Sequence, residues 1–317
     1  MKHGRLVCVG VAAVSVAMLV AVGTANGNFK GNNGLIAFDS WTGSSQDIGV
    51  FDPNGTGTPT FLANRTDMNE QTPRWSRDGK KIVYMARLDP FGATNYDIWV
   101  MDADGSNKVN VTNTPNVDEE VPAWTADGRI VYCGSAPNNA DKYDVYLMNA
   151  DGSGLKALTN ADAATSFACW PSPAPNGNKL AFTLTSGGSP EIWTMTLDGK
   201  GLRKVTTGRE SDWSPSGNDL VFVRTSTGSD RDVWMIHSDG TGERRLTNTP
   251  TQKESFPTWS PDGTTVDFGR VVRSGVYNIF SVDLATGSEQ LLLADAPLGT
   301  PTTYSVAYPT WQPLGKP

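Results

Sequence analysis

The chain has 317 residues, 38% of them apolar and 19% charged, with 33 glycines and 20 prolines, the composition of a globular protein with many turns. Its formal net charge of −7 excludes nucleic acid as an expected partner, because a phosphate backbone selects basic surfaces. Beyond the N-terminus no apolar stretch is long enough to span a bilayer.

At the N-terminus Lys2 and Arg5 precede an apolar run from Leu6 to Val22, followed by Gly23-Thr24-Ala25. A basic start, an apolar core and a small-x-small ending predict a secretory signal, residues 1–25, cut after Ala25; the alternative is an uncleaved anchor. No cysteine follows the cut, so no lipidation is expected there. Removal of Lys2 and Arg5 leaves 24 cations against 33 anions, a net charge of −9 on a secreted or periplasmic protein. Such a surface suits cations, basic peptide segments or neutral glycans.

From Gly34 onward the chain repeats itself. The first unit, GLIAFDSW then DIGVFDPNG at 47, has strands but no tryptophan phrase ahead of them. Full units follow: WSRDGKKIVY from Trp75 with DIWVMDADG at 97, and WTADGRIVY from Trp124 with DVYLMNADG at 144. Next come PAPNGNKLAF from Pro173 with EIWTMTLDG at 191, WSPSGNDLVF from Trp213 with DVWMIHSDG at 232, and WSPDGTTVDF from Trp259 with NIFSVDLATG at 278. The Pro173 copy lacks its tryptophan, and Trp170 lies three residues too early. The chain ends on YPTWQPLGKP, a phrase with nothing after it.

Within the units apolar and polar residues tend to alternate, as in half-buried strands, and Asp-Gly or Asn-Gly pairs supply tight hairpin turns. A last short strand follows each hairpin, as in LKALT at 155 and LRKVT at 202. About 290 residues divided among six units gives roughly 48 per unit, four short strands each, the size of a propeller blade. The predicted fold is therefore all-β: a six-bladed β-propeller of four-stranded antiparallel blades over residues 26–317. The opening and closing fragments complete each other, so blade 1 combines residues 31–63 with 308–312, and the C-terminal strand closes the ring.

The phrase P-x-W-S-P-D-G, then an apolar strand, D-I-W-V-M-D-A-D-G and L-T-N, resembles the propeller repeat of the TolB family. Its namesake is a periplasmic component of the bacterial Tol-Pal envelope system. The resemblance covers about residues 31–317. It implies a propeller that binds partner peptides at the channel, although similar repeats also serve peptidases and polysaccharide-degrading enzymes. The first blade starts within about ten residues of the predicted cut, so the α/β domain preceding the propeller in TolB is expected to be missing here.

Lettering the strands of a blade a to d outward from the axis, acids recur at the entrance to strand a: Glu70, Glu119, Glu120, Glu210 and Glu254. They could form a broken ring of carboxylates holding Ca²⁺ or a basic partner segment, or cap backbone and pair with neighbouring blades. Trp41, Phe91, Tyr96, Tyr143 and Tyr277 are expected on or near the same face, suited to a peptide anchor or to sugar stacking. The strand-a tryptophans read as packing between blades, and the D-x-D-G turns lack the other ligands of a calcium loop.

No catalytic residue is assigned. His237 is the sole histidine after the cut, and there is no G-x-S-x-G, no H-E-x-x-H and no Cys/His cluster. Cys133 and Cys169 fall toward one face and could form one disulfide or stand as two buried thiols. The first reading is a monomeric, non-catalytic propeller binding a protein or peptide partner through an acidic, aromatic face. A lyase or glycosidase using carboxylates and tyrosines, or a scaffold module, are the alternatives.

Overall fold

The computed structural model describes residues 32–314 except 42–44, 56–57, 64, 89–94, 137–138, 161–165, 227, 229, 274–275 and 295–305. The predicted signal segment and Phe91 lie outside the described residues. Among the described residues all regular structure is strand, as the alternation predicts. The first unit has β1 (Asn32–Trp41), β2 (Gln46–Phe51) and β3 (Thr60–Ala63), and the second has β4 (Met68–Trp75), β5 (Lys81–Leu88), β6 (Asp97–Asp102) and β7 (Val109–Asn110). The third has β8 (Glu119–Trp124), β9 (Ile130–Ala136), β10 (Asn139–Met148) and β11 (Lys156–Ala157); the fourth β12 (Ser166–Pro173), β13 (Lys179–Ser186), β14 (Glu191–Thr196) and β15 (Arg203–Thr207). The fifth has β16 (Arg209–Trp213), β17 (Asp219–Thr225), β18 (Arg231–His237) and β19 (Arg244–Arg245); the sixth β20 (Glu254–Trp259), β21 (Thr265–Arg273), β22 (Val276–Asp283) and β23 (Glu289–Leu293). Finally β24 (Val306–Leu314) returns to the first unit, whose sheet order is β24-β1-β2-β3.

Each unit is an antiparallel meander. The third and fourth are also joined edge to edge, because β10 and β12 pair in parallel at Tyr143 and Phe167. The innermost strands β4, β8, β12, β16, β20 and β24 each touch the next, and β24 touches β4, so they close a cycle around one axis.

The tryptophans of the repeated phrase are the packing between units. Trp75 sits with Ala37, Ile48 and Val50 of the preceding unit, Trp124 with Val83, Met85 and Ile98, and Trp259 with Val221, Val223 and Val233. Trp213 is completely buried and donates its indole N–H to the Ser172 carbonyl at 2.9 Å. The hairpin glycines serve the same stacking. Gly152, at φ 84°, lies so close to the preceding unit that a Cβ there would stand 2.0 Å from the Val111 carbonyl oxygen.

The seam is made by β24, with Ile36 opposite Trp311 and Ala37 opposite Thr310. Trp311 is buried with Ile36, Phe38 and Ile279, so one strand joins the first and last units. Burying one such tryptophan contributes about 3–5 kcal/mol against its truncation. Deleting residues 308–317 should therefore lower the melting temperature by about 6–20 °C or more, at about 2–4 °C per kcal/mol for a domain of this size. A truncated protein that melts with the full chain would contradict the seam.

Candidate functional site

The six innermost strands share a departure from regular pairing. Three residues before each tryptophan, or before Pro173 in β12, stands a non-glycine residue with φ between 51° and 57°: Thr72, Val121, Trp170, Glu210, Phe256 and Tyr308. At the same place two residues of the inner strand oppose one of its neighbour, which defines a β-bulge. The single opposed residue is a buried aromatic in each case: Phe38, Tyr84, Tyr132, Phe182, Phe222 or Phe268. A positive φ costs a residue with a Cβ about 1–3 kcal/mol, and six at one level make this the most strained ring of the described backbone.

Contacts between units offset part of that cost. The Thr72 N–H donates to the Asp39 carboxylate at 3.1 Å, Glu210 N–H to Thr183 Oγ1 at 3.1 Å, and Phe256 N–H to the Glu210 carboxylate at 2.9 Å. Two residues further along the same strands, Asp212 accepts from Ser172 Oγ at 3.1 Å and Thr258 Oγ1 at 3.0 Å, tying the fourth, fifth and sixth units together.

The bulge corrects the expected ring of carboxylates. By simple alternation Glu119, five residues before Trp124, would face away from it; the extra residue in the bulge turns both to the same side, against the preceding unit. Glu119 is buried there and accepts a hydrogen bond from Thr114 Oγ1 at 2.7 Å. Glu254 is buried likewise and accepts from Thr249 Oγ1 at 2.8 Å, Val233 N–H at 3.0 Å, Arg270 Nε at 2.9 Å and the Thr247 hydroxyl. These acids are latches between blades, and they do not line an open channel. Glu70 is the incomplete latch: Ala63 stands where the other units place Thr112 and Thr247, so its carboxylate lacks their hydroxyl and has only a weak approach from the Arg65 backbone among the described residues.

The remaining acids do converge. The Tyr308 hydroxyl, pushed well above its ordinary value by burial, also feels the charges of Asp39, Glu210 and Glu120 and the neighbouring Tyr277. Phe256 stacks on Tyr308 with ring centroids 3.5 Å apart. Glu210 is buried and lies 3.5 Å from Arg231. Glu120 is half-buried and accepts the Tyr143 hydroxyl at 3.2 Å; burial and nearby Asp118 push its carboxyl up. Tyr143, Phe167 and Trp170 form a continuous aromatic wall, with centroid spacings of 4.8 and 5.6 Å. Behind it Cys133 and Cys169, both fully buried, are joined as a disulfide across the third and fourth units. Tyr96 is half-buried beneath the Arg87 guanidinium, 4.7 Å from the ring centroid, while Gln71 Nε2 donates to its hydroxyl at 2.6 Å. Trp41 is half-buried at the end of β1, opposite Gln46.

Trp170, Phe167, Phe256 and Tyr308 are missed by sequence reasoning, although a proline directly follows five of the six bulge residues and marks the register. Among the described residues no three His, Cys, Asp or Glu gather where they could hold a metal ion, so the calcium reading finds no site there. His237 is exposed and pairs with Asp219 at 2.6 Å on a turn. No helix among the described residues is long and apolar enough to cross a membrane.

The closed cycle of inner strands and the bulges define a β-propeller with aromatic and charged side chains gathered around its axis at the level of the bulges, here called the funnel. Residues 38–212, more than half of the chain, match the TolB beta propeller domain, and the chain belongs to that family. The protein TolB homolog of Chlorobium luteolum is 30% identical over 132 residues, 41% of this chain and 30% of its own length. The Tol-Pal system protein TolB of Francisella tularensis is 24% identical over 216 residues, 66% of this chain and 48% of its own. The chain thus spans less than half the length of these relatives. The crystal structure of TolB from Acinetobacter baumannii superposes with a TM-score of 0.71 at 20% identity, covering 88% of this chain and 66% of that one, a likeness of fold.

Burial raises Asp39, Glu70, Glu119 and Asp267 to about 7. The folded chain then holds protons that the unfolded chain has already released, so stability is greatest below the ordinary carboxylate value and is lost as pH rises through about 7. Thermal melts should show a higher midpoint at pH 5.5 than at pH 8. Ala63→Thr, which supplies the missing hydroxyl to Glu70, should raise the midpoint at pH 8 and reduce that difference; an unchanged pH dependence would contradict the incomplete latch.

Proposed function

We propose that the chain is a secreted or periplasmic, monomeric propeller of six blades, residues 26–317 after loss of 1–25, that binds a protein partner without turnover. The partner enters the funnel as an extended segment. The observation that carries this reading is the ring of six bulges, which sets the Phe256 and Tyr308 stack and the Tyr143, Phe167 and Trp170 wall around one opening. Half-buried aromatic rings beside Glu120, Arg87 and Arg231 match the anchors that dominate peptide interfaces. Relatives named as Tol-Pal system proteins support a protein partner for this family.

Trp170→Ala and Phe256→Ala should each weaken capture of the partner from an envelope extract by about thirtyfold, about 2 kcal/mol per hot-spot aromatic, and more when combined. The channel latches are untouched, so the far-ultraviolet spectrum and cooperative melt should persist. Undiminished capture would overturn the funnel. New reducing or unsaturated ends on incubation with polysaccharides would overturn the non-catalytic reading in favour of a glycan enzyme.

A further inference from the structure

Beside Trp170 lies a cleft of about 180 Å³ lined by Phe167, Trp170, Thr183, Thr185, Pro190 and Arg209. It differs from the rest of the funnel in its charge. Arg224, Arg231, Arg245 and Arg270 each pair with a carboxylate: Glu243, Glu210, Asp232 and Glu254. The half-buried Arg209 makes no ion pair and no side-chain hydrogen bond among the described residues. Its sequence neighbour Glu210 is turned away, engaged by Arg231 and by the Phe256 N–H. Arg209 therefore presents to the cleft a planar cation that no carboxylate holds in an ion pair, Glu210 acting on it only through space, beside the Phe167 and Trp170 rings.

That pairing has a defined complement. A guanidinium recognises a carboxylate through two parallel N–H donors, and a ring pair beside it accepts a flat or branched apolar group. Liquid water occupies about 30 Å³ per molecule, so the cleft holds a group of about six waters, the size of one amino-acid residue. A single residue carrying both a carboxylate and an apolar side chain is the last residue of a polypeptide.

We propose that this cleft is a subsite for the free C-terminal carboxylate of a peptide ending in an apolar or aromatic residue, with Arg209 on the carboxylate and Trp170 and Phe167 against the terminal side chain. The subsite rests on the reading of the funnel as a peptide-binding face, and it adds a polarity: the segment enters with its C terminus toward the fourth and fifth units. It also reconciles an acidic protein with an anionic group, because the attraction is confined to one half-buried cation able to make charge-assisted hydrogen bonds.

The test is fluorescence anisotropy of the full chain with fluorescein-labelled glycine-serine peptides ending in phenylalanine. One carries the free carboxylate, one the C-terminal amide, and one runs two glycines further. The free carboxylate should bind at least about tenfold tighter than the other two, the scale of a charge-assisted hydrogen bond. Arg209→Gln should abolish the preference, and Arg209→Lys, which keeps the charge without the planar fork, should retain part of it. Equal binding of acid and amide to the wild type, with Trp170→Ala still weakening both, would overturn the subsite and leave the peptide-binding face standing. A carboxylate preference that survives Arg209→Gln would also overturn it. Binding of none of the three peptides would overturn both.

Discussion

Everything in this molecule depends on the pairing of β24 with β1. An open row of blades would leave two strand edges exposed and would let the inner strands spread. With Ile36 opposite Trp311, each blade has a neighbour on both sides and the axis has a fixed diameter. Bringing these two positions together costs about 5 kcal/mol of loop-closure entropy for a separation of roughly 275 residues. Trp311, buried against both the first and last units, supplies a contribution of the same order. Closure is thus a balanced event that sets the geometry of every seam.

The funnel is a consequence of that geometry. Six inner strands held around a narrow axis cannot all run straight into it. Each inserts an extra residue at the same level, opposite a buried aromatic of the neighbouring strand, and accepts an unfavourable φ to do so. Because the inserted positions are Thr72, Val121, Trp170, Glu210, Phe256 and Tyr308, the backbone is nearly symmetric and the surface is not. Rings stand at Trp170 and at the adjacent Phe256 and Tyr308, with the Glu210 carboxylate between them. The Cys133–Cys169 disulfide and the parallel pairing of β10 with β12 brace the arc that carries the aromatic wall. On the proposed function a partner segment would meet a braced rim, which lowers the ordering cost of binding.

Much of the fold was legible because each unit repeats its own signals. The tryptophan phrase, the Asp-Gly turns and the period-two strands place the hairpins, and the orphan phrase around Trp311 points to the seam. The site was less legible. Glu70, Glu119 and Glu254 look like channel residues when strand a is read by plain alternation, and one inserted residue reverses their facing. Nothing in the identities Thr, Val, Trp, Glu, Phe and Tyr announces a positive φ, which is usually the mark of glycine. Only the proline after five of them, and the aromatic ending of runs such as IVY and LVF, carry the register. Trp170 is the instructive case: as a misplaced packing tryptophan it has no explanation, and as the bulge residue of β12 it is in its proper place, with Pro173 in the packing position.

Hydrogen–deuterium exchange of the native chain, resolved to the peptides covering β1 and β24, tests closure most directly. If the seam sets the whole ring, amides of Ile36, Ala37 and Thr310 should exchange only with global unfolding, at the rate of the central strands β13 and β17. Fast exchange of β24 at low denaturant, with the other blades still protected, would show a loosely attached tail and contradict the account.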